Sequence, residues 1–321
     1  MDGDQGLTPD ASETETGTAS AATTATREVP SHGVRRRLLA FIYRHRTLQM
    51  LLLLVPPAGW FGVVYLGSLA LLFVAAFWSL DPLTSSIKHE LTLKNFQQLL
   101  TDSVYRVVAL RTIGIAALVT VIDVLLAFPI AYYMARYARP RTRAILFVLV
   151  LLPLWSSYLV RVYAWRVILA PGGPLEWSLA QVGIPGIAIY PSDLAIPIVF
   201  SYVWLPYMIV PIYAGLERIP GSLLEASGDL GARPSTTFRR VVLPLAFPAV
   251  VAGSIFTFSL TLGDYITPGL VSTSQFIGNV VYTNQGVAGN VPFAAAFALV
   301  PVLVMLLYLF VARRLGAFEA I

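Results

Sequence analysis

The chain has 321 residues, of which 57% are hydrophobic and only 12% are charged, whereas about a quarter of an ordinary soluble domain is charged. This composition excludes a soluble globular domain and is typical of a membrane protein. The net charge of +5 comes from arginines that bracket apolar segments, so it indicates membrane orientation rather than nucleic-acid binding.

Several chemistries are excluded by the residue types. The chain has no cysteine, which excludes disulfides, thiolate metal sites and a cysteine nucleophile. The three histidines, His32, His45 and His89, never pair at ligand spacing, so we predict no metal site and no cofactor in this chain. There is no GxxxxGK[ST] phosphate loop, so any ATP and Mg²⁺ must be bound by a partner. We expect no catalytic residue.

The N-terminal region precedes the apolar part of the chain. Residues 1–33 are rich in Thr, Ala, Ser, Gly and acidic side chains, so we predict a disordered cytoplasmic tail. They do not have the positive and apolar regions of a signal peptide. Residues 34–48 form a basic amphipathic segment, which favours an anionic cytoplasmic leaflet and predicts an N-terminus inside. Residues 49–321 form the predicted transmembrane domain.

Six apolar runs are long enough for a helix to cross ~30 Å of hydrocarbon, which takes roughly 20 residues. They cover residues 50–78, 107–135, 144–169, 194–216, 245–269 and 294–312. We therefore predict an all-α, polytopic membrane protein with six transmembrane helices. The third run contains Pro153.

The charges of the connecting loops predict the orientation of these helices, because Lys and Arg accumulate in cytoplasmic loops. Arginines are concentrated after the second run, after the fourth run and at the C-terminus, whereas the loop at residues 171–193 has no Lys or Arg and that at 270–293 has no charge. The loop at residues 79–106 has a mixed charge. We predict that both termini are cytoplasmic.

Charged residues inside the apolar runs are costly and usually mark a pathway or a buried pair. By rise per residue, Asp264 lies ~27 Å and Arg161 ~25 Å from the start of their spans, so they could meet as a salt bridge. Alternatively, Asp264 receives a substrate ammonium, with Tyr265, Trp165 or Tyr163 offering a ring face to the cation.

Two further features of these runs leave the pathway open. Asp123 lies near mid-bilayer, either as a second acidic station for a polycation or as the partner of a polar group on a neighbouring helix. Arg161 and Arg166 in the third run count against a purely cation-binding path unless they are paired.

The loop at residues 217–244 is a charged segment between two apolar runs. Ser222 and Glu225 have the spacing of a capping box, and Gly231 stands where a helix end favours a left-handed residue. Pro234 suits the first turn of a second helix. Apolar residues recur at helical spacing on the first helix: Leu223, Leu224, Ala226 and Leu230. An exposed apolar stripe of this kind needs a docking partner to bury it.

The same loop carries a resemblance. Glu225-Ala226-Ser227, then Gly231, then Val241 and Leu243-Pro244 resemble the EAA loop of binding-protein-dependent ABC importer permeases, with Ser227 where Ala is usual. The resemblance implies the type I ABC importer transmembrane fold and a coupling helix that docks in a groove of a cytosolic ATPase. The positions that it assigns to ATPase coupling are Ser222, Leu223, Leu224, Glu225, Ala226, Ser227, Gly231 and Arg233.

Other stretches are similar to the spermidine/putrescine importer permeases, namely residues 159–169, 205–219, 262–271 and 278–279. This resemblance implies polyamine transport across the cytoplasmic membrane by half of a translocation path. Its expected partners are an ATPase dimer that binds ATP and Mg²⁺, a second homologous permease, an extracytoplasmic substrate-binding protein and the lipid bilayer. Related permeases for other organic solutes share much of the pattern.

Two other classes of membrane protein compete with this interpretation. A stand-alone ion channel or secondary carrier has no need of an exposed docking helix, so the loop at residues 217–244 argues against it. An intramembrane enzyme would need a His pair or paired carboxylates on one helix, and the apolar runs contain neither.

Overall fold

The computed structural model describes residues 46–81, 83–184 and 189–314, together with the isolated positions 33 and 43. The predicted disordered tail and most of the basic segment at residues 34–48 therefore lie outside the described residues. The chain divides into two structural units, residues 1–63 and 64–321.

The first half of the described chain is helical apart from one short strand pair, in which Ser79 of β1 lies opposite Lys88 of β2. Its elements are α1 (Arg46–Trp60), a π-helical segment (Phe61–Leu66), α2 (Gly67–Ala75), β1 (Ser79–Leu80), β2 (Ile87–Lys88), α3 (Lys94–Thr101), α4 (Ser103–Arg136), α5 (Pro140–Leu151), a 3₁₀ turn (Leu152–Trp155), α6 (Tyr158–Leu169) and α7 (Pro174–Gln181).

The second half of the described chain is helical throughout its regular structure. Its elements are α8 (Ala195–Glu217), α9 (Gly221–Asp229), α10 (Pro234–Thr237), a π-helical segment (Phe238–Val242), α11 (Leu243–Gly263), α12 (Ile266–Val271), α13 (Ile277–Gly286) and α14 (Val291–Arg314).

Five helical stretches in the described residues are long and apolar enough to span a membrane: Gln49–Ala75, Ser103–Arg136, Ala195–Glu217, Pro234–Gly263 and Val291–Arg314. A bent pair, Pro140–Trp155 with Tyr158–Gln181, brings the number to six. Large apolar side chains such as Leu303, Leu307 and Phe310 of α14 are exposed, as lipid-facing residues are. The all-α, polytopic architecture is confirmed.

The third predicted span is not one straight helix. Its two halves meet at an angle of 94°, and the chain is extended at Ser156 and Ser157, where ψ is 151° and 137°. Pro153 lies in the 3₁₀ turn just before this break. Proline cannot donate to the helical ladder, and its ring crowds the preceding turn, so the helix ends there.

The fifth predicted span has different bounds in the structure. Its helix begins at Pro234 and ends at Gly263, rather than covering residues 245–269. Asp264 is extended, with ψ at 130°, because its side chain accepts hydrogen bonds from the backbone N–H groups of Ile266 and Thr267. The chain therefore starts a separate short helix, α12.

The centre of the second unit is formed by α4, α8 and α11. The side chains of α8 are buried along most of its length, including Phe200, Met208 and Ile212. A Cβ added at Gly215 of α8 would collide with the Cβ of Ala249 in α11. Small residues at this crossing let the two backbones approach closely, as is common between membrane helices.

Candidate functional site

The coupling segment, residues 217–244, is a helix, a tight turn and a long helix, as predicted. Gly231 has φ at +76°, where an L side chain is strained. Its N–H donates to the Gly228 carbonyl at 2.8 Å, and the Ala232 N–H donates to the Ser227 carbonyl at 3.1 Å, which together form a Schellman motif. Pro234 occupies the first turn of α10.

The predicted capping box of α9 is wrong. The helix begins at Gly221, Pro220 occupies the N-cap position, and no side chain caps it. Proline already sets the extended backbone that leads into the helix, with φ at −61° and ψ at 138°. Ser222 and Glu225 are therefore left exposed on the helix surface.

The predicted apolar stripe of α9 is divided between two surfaces. Leu224 is half-buried and packs against a core cluster that includes Leu216, Ile219 and Val242. Leu223 and Leu230 are 43% and 88% exposed. Leu223 and Leu230 lie on the exposed surface of the segment, together with Ala226, Glu225 and Arg233.

The two helices of the coupling segment are also joined by side chains. Ser227 is half-buried, and its hydroxyl lies 2.8 Å from the hydroxyl of Thr237 in α10. The motif position where Ala is usual therefore carries a hydrogen bond here, which the sequence pattern did not predict. This bond and the Gly231 turn fix the angle between α9 and the long helix that follows.

Arg136, at the end of α4, holds the base of the coupling segment. Its guanidinium donates to the Leu216 carbonyl at 2.7 Å and to the Ile219 carbonyl at 2.9 Å, at the C-terminal end of α8. Arg143 of α5 forms an ion pair with Glu217 at 3.1 Å. The sequence analysis used both arginines only as markers of orientation, although the position of Arg136 in the last turn of α4 was a signal for such contacts.

A polar cluster lies at the opposite end of the spans. We call it the Asp193 cluster and define it as Arg111, Asp193, Ser272 and Ser274. The two serine hydroxyls donate to the Asp193 carboxylate at 2.6 and 3.0 Å, and the Arg111 Nε lies 3.8 Å from it. Burial alone would raise the pKa of Asp193, but these hydrogen bonds and the Arg111 charge lower it below the ordinary value.

The residues of the Asp193 cluster come from three separate parts of the chain. Arg111 follows the loop with mixed charge, Asp193 ends the loop without Lys or Arg, and the serines belong to the uncharged loop. These three loops lie at one end of the spans, and Arg136 with the coupling segment lies at the other. The predicted alternation of the loops agrees with this arrangement.

Asp264 and Arg161 do not form the predicted direct ion pair within the described residues. The Tyr158 hydroxyl donates to Asp264 and also lies 2.6 Å from the Thr267 hydroxyl. The Arg161 guanidinium lies 5.9 Å from the centre of the Tyr158 ring and donates to the Val203 carbonyl at 3.5 Å. Tyr158 therefore links the two charges, since it sits on the turn of helix that precedes Arg161.

The remaining pathway candidates lie in different surroundings. The Tyr265 ring stacks on Tyr282 at 4.7 Å and 11°, and Tyr163 is half exposed. Trp165 lies 5.3 Å from the ring of Tyr202 on α8. Asp123 is fully buried between its own helix and α8, with Ser201 as its polar neighbour. Asp264 and Asp123 therefore have different polar neighbours, Tyr158 for the first and Ser201 for the second.

Comparisons with known proteins agree with this geometry. A family profile described as "Binding-protein-dependent transport system inner membrane component" matches residues 127–318. The "Inner membrane ABC transporter permease protein YdcU" of Escherichia coli (strain K12) is 47% identical over 306 residues, which cover 91% of this chain and 97% of that protein.

A second relative and a solved structure extend the comparison. The "Spermidine/putrescine transport system permease protein PotB" of Escherichia coli (strain K12) is 30% identical over 267 residues, covering 82% of this chain and 96% of that protein. A chain in the crystal structure of a bacterial ABC transporter involved in the import of the acidic polysaccharide alginate has a TM-score of 0.62 at 19% identity, covering 87% and 99% of the two chains. At that identity the likeness concerns the fold alone.

Proposed function

The chain belongs to the family of binding-protein-dependent transport system inner membrane components, and we propose that, as the permease subunit of an ABC importer, it carries polyamines. The coupling segment carries the transporter assignment, because its exposed helix is joined through a Gly turn to a spanning helix. The polyamine assignment is supported by the similarity to the spermidine/putrescine permease PotB. The YdcU relative is more similar, but its name states no solute.

In this proposal, Leu223 and Leu230 dock on a cytosolic ATPase, with Glu225 and Arg233 at the edge of the contact. Apolar side chains that are 43% and 88% exposed gain free energy when a partner covers them. Closure of an ATPase dimer on ATP and Mg²⁺ would push α9. The push would reach the membrane through the continuous helix Pro234–Gly263.

The remaining partners follow from the same proposal. A second permease would complete the translocation path, and an extracytoplasmic binding protein would deliver solute at the end marked by the Asp193 cluster. Both termini would be cytoplasmic. This chain would perform no bond chemistry, since ATP hydrolysis would belong to the partner.

Docking is tested by placing charges on the exposed apolar positions. We expect Leu223→Asp and Leu230→Asp to reduce the ATPase that copurifies with the permease and to abolish uptake. Leu83→Asp is the matched control for ATPase retention, because Leu83 is 94% exposed in a loop at the end opposite the ATPase. Normal ATPase retention and full uptake in both coupling variants would refute the docking surface.

The solute is tested on the partner binding protein and the reconstituted importer. We expect spermidine or putrescine to bind the binding protein and to stimulate ATP hydrolysis by the complex. Binding of only an anion or a sugar would refute the polyamine assignment and leave the importer assignment intact.

An anionic solute is the second candidate, and Arg161 is the observation that favours it. Arg161 is 8% exposed, and its Nε has no hydrogen-bond partner among the described residues. A buried guanidinium with a free donor suits a carboxylate or another oxyanion. Competition by anions in the binding-protein assay separates this candidate from the polyamines.

A further inference from the structure

A lateral cavity of about 660 Å³ lies among α4, α6 and α8. This volume is within the range of small-molecule sites, roughly 300–1,000 Å³. Aliphatic residues of α4, of α8 and of the loop before α8 contribute to its walls, including Ile122 and Leu126 of α4 and Ile198 of α8. None of the residues that line it is charged.

Two aromatic rings form part of this wall. Trp165 of α6 and Tyr202 of α8 both line the cavity, with ring centres 5.3 Å apart and planes inclined at 58°. The faces of Trp and Tyr rings attract organic cations through their quadrupoles, most strongly where water is excluded. The wall therefore suits an alkyl ammonium ion better than a neutral sugar or an anion.

A serine hydroxyl opens onto the cavity, and an acid lies behind it. Ser201 lines the wall and is 6% exposed. Asp123 is fully buried beside it, with the Ser201 hydroxyl as its polar neighbour. Neither group forms a hydrogen bond of ordinary geometry among the described residues. A buried acid without an ion-pair partner is costly inside a membrane protein, so this pair has the capacity to hold a cation.

The position of Asp123 on α4 permits this contact. Ile122 and Leu126, which line the cavity, are its neighbours at spacings of one and three residues. Residues one and three positions away along a helix lie about 100° and 60° around its axis. Asp123 thus flanks the cavity-facing stripe and lies behind Ser201, which itself lines the cavity.

The two arginines of α6 contact groups outside the cavity wall. The Arg161 guanidinium lies over the Tyr158 ring and donates to the Val203 carbonyl. The Arg166 guanidinium lies 5.6 Å from the Tyr190 ring. Neither arginine lines the cavity. The positive charges that count against a cation path therefore do not belong to this wall.

We propose that this cavity is a binding site for an alkyl ammonium group of the transported polyamine, a proposal that rests on the polyamine function above. The aliphatic stem lies on Ile122, Leu126 and Ile198. One ammonium group lies against the Trp165 and Tyr202 rings and is neutralised by Asp123 through the Ser201 side of the wall. Asp123 and Trp165 are then the residues that select a cation.

The first test measures spermidine uptake by the reconstituted complex. We expect Asp123→Asn and Trp165→Leu each to raise KM about 10-fold, which corresponds to loss of one desolvated cation contact. Leu307→Ala, at an exposed position of α14, should leave KM unchanged. Unchanged KM in both cavity variants would overturn the proposal.

The second test measures solute binding at the cavity wall directly, and it uses the absence of cysteine from the chain. Ile198→Cys places a thiol on the cavity wall, and Tyr137→Cys, at an exposed position of the loop after α4, serves as the control. We expect spermidine to slow maleimide labelling at position 198 but not at 137. The protection at 198 should be lost when Asp123→Asn is added.

The outcomes separate this proposal from the proposed function. A complex that takes up spermidine but shows no protection at position 198 overturns the cavity site alone. The same holds if the cysteine at 198 never reacts in a transporting complex, because another subunit or lipid then covers the cavity. A binding protein that takes no polyamine overturns the polyamine function, and the cavity site with it.

Discussion

Replacement of Gly231 by alanine tests whether the shape of the coupling segment, rather than its contacts, transmits force. The backbone at Gly231 has φ at +76°, and an added Cβ would meet nothing within 4 Å. The substitution therefore changes backbone preference without a steric clash. An L residue in this region costs about 1–2 kcal/mol, so the closed turn should lose roughly 5- to 30-fold in relative population.

We expect Gly231→Ala to lower uptake and ATPase retention in proportion to this loss. The measurements are ATP-dependent uptake in proteoliposomes and the amount of ATPase that copurifies. Gly231→Asn should restore most of the activity, since Asn tolerates the left-handed region.

Gly228→Ala is the matched control. Gly228 lies within α9, three residues before the turn, and an added Cβ there also meets nothing within 4 Å. Inside a helix, alanine is favoured over glycine by roughly 0.5–1 kcal/mol, so this variant should be neutral or slightly stabilising. Equal uptake and ATPase retention in wild type and Gly231→Ala would refute the argument that the left-handed turn sets the coupling geometry.

Three further predictions concern helix packing and the end of the spans opposite the coupling segment. Gly215→Ala should destabilise the permease by about 1–3 kcal/mol through overpacking against Ala249. Adding Ala249→Gly should restore the melting temperature. If Gly215→Ala alone is as stable as wild type, the close crossing of α8 and α11 is contradicted. Tyr158→Phe leaves Asp264 without its side-chain donor and should cost about 1–3 kcal/mol, with a much smaller effect in an Asp264→Asn background. The pKa of Asp193 is lowered in the folded chain, so its contribution to stability is present above the unfolded value of about 3.9 and is lost as pH falls below it. Thermal melts of Asp193→Asn should lack this acid-side loss, and identical pH profiles would refute it.

Features that depend on local sequence were predicted well. The apolar runs gave the number of spans because a fixed hydrocarbon thickness sets their length. Gly231 and Pro234 marked the turn and the second helix because each acts through its own backbone. The predicted capping box was wrong because the backbone of Pro220 starts α9 two residues earlier, so Ser222 lies inside the helix rather than at its N-cap.

Features that depend on contacts between distant residues were not predicted. The rise per residue placed Asp264 and Arg161 at similar distances from the starts of their spans. In the structure, Tyr158, which begins the helix after the 94° bend, lies between them. Asp264 is occupied by hydrogen bonds that order α12, whereas the deeper Asp123 has no such partner. Sequence position alone could not distinguish these two acids, because they differ in the hydrogen bonds that neighbouring residues donate to their carboxylates.

Helix α8 connects the candidate solute cavity to the coupling segment. Ser201 lines the cavity, and the Leu216 carbonyl receives the Arg136 contact near the base of α9. Fifteen residues of helix separate them, which is roughly 22 Å at 1.5 Å per residue. Pro206 and Pro211 lie between the two and interrupt the ladder of hydrogen bonds where a helix can bend. A displacement of the coupling segment would therefore reach Ser201 through the same buried helix, so solute binding and ATPase docking are expected to influence each other.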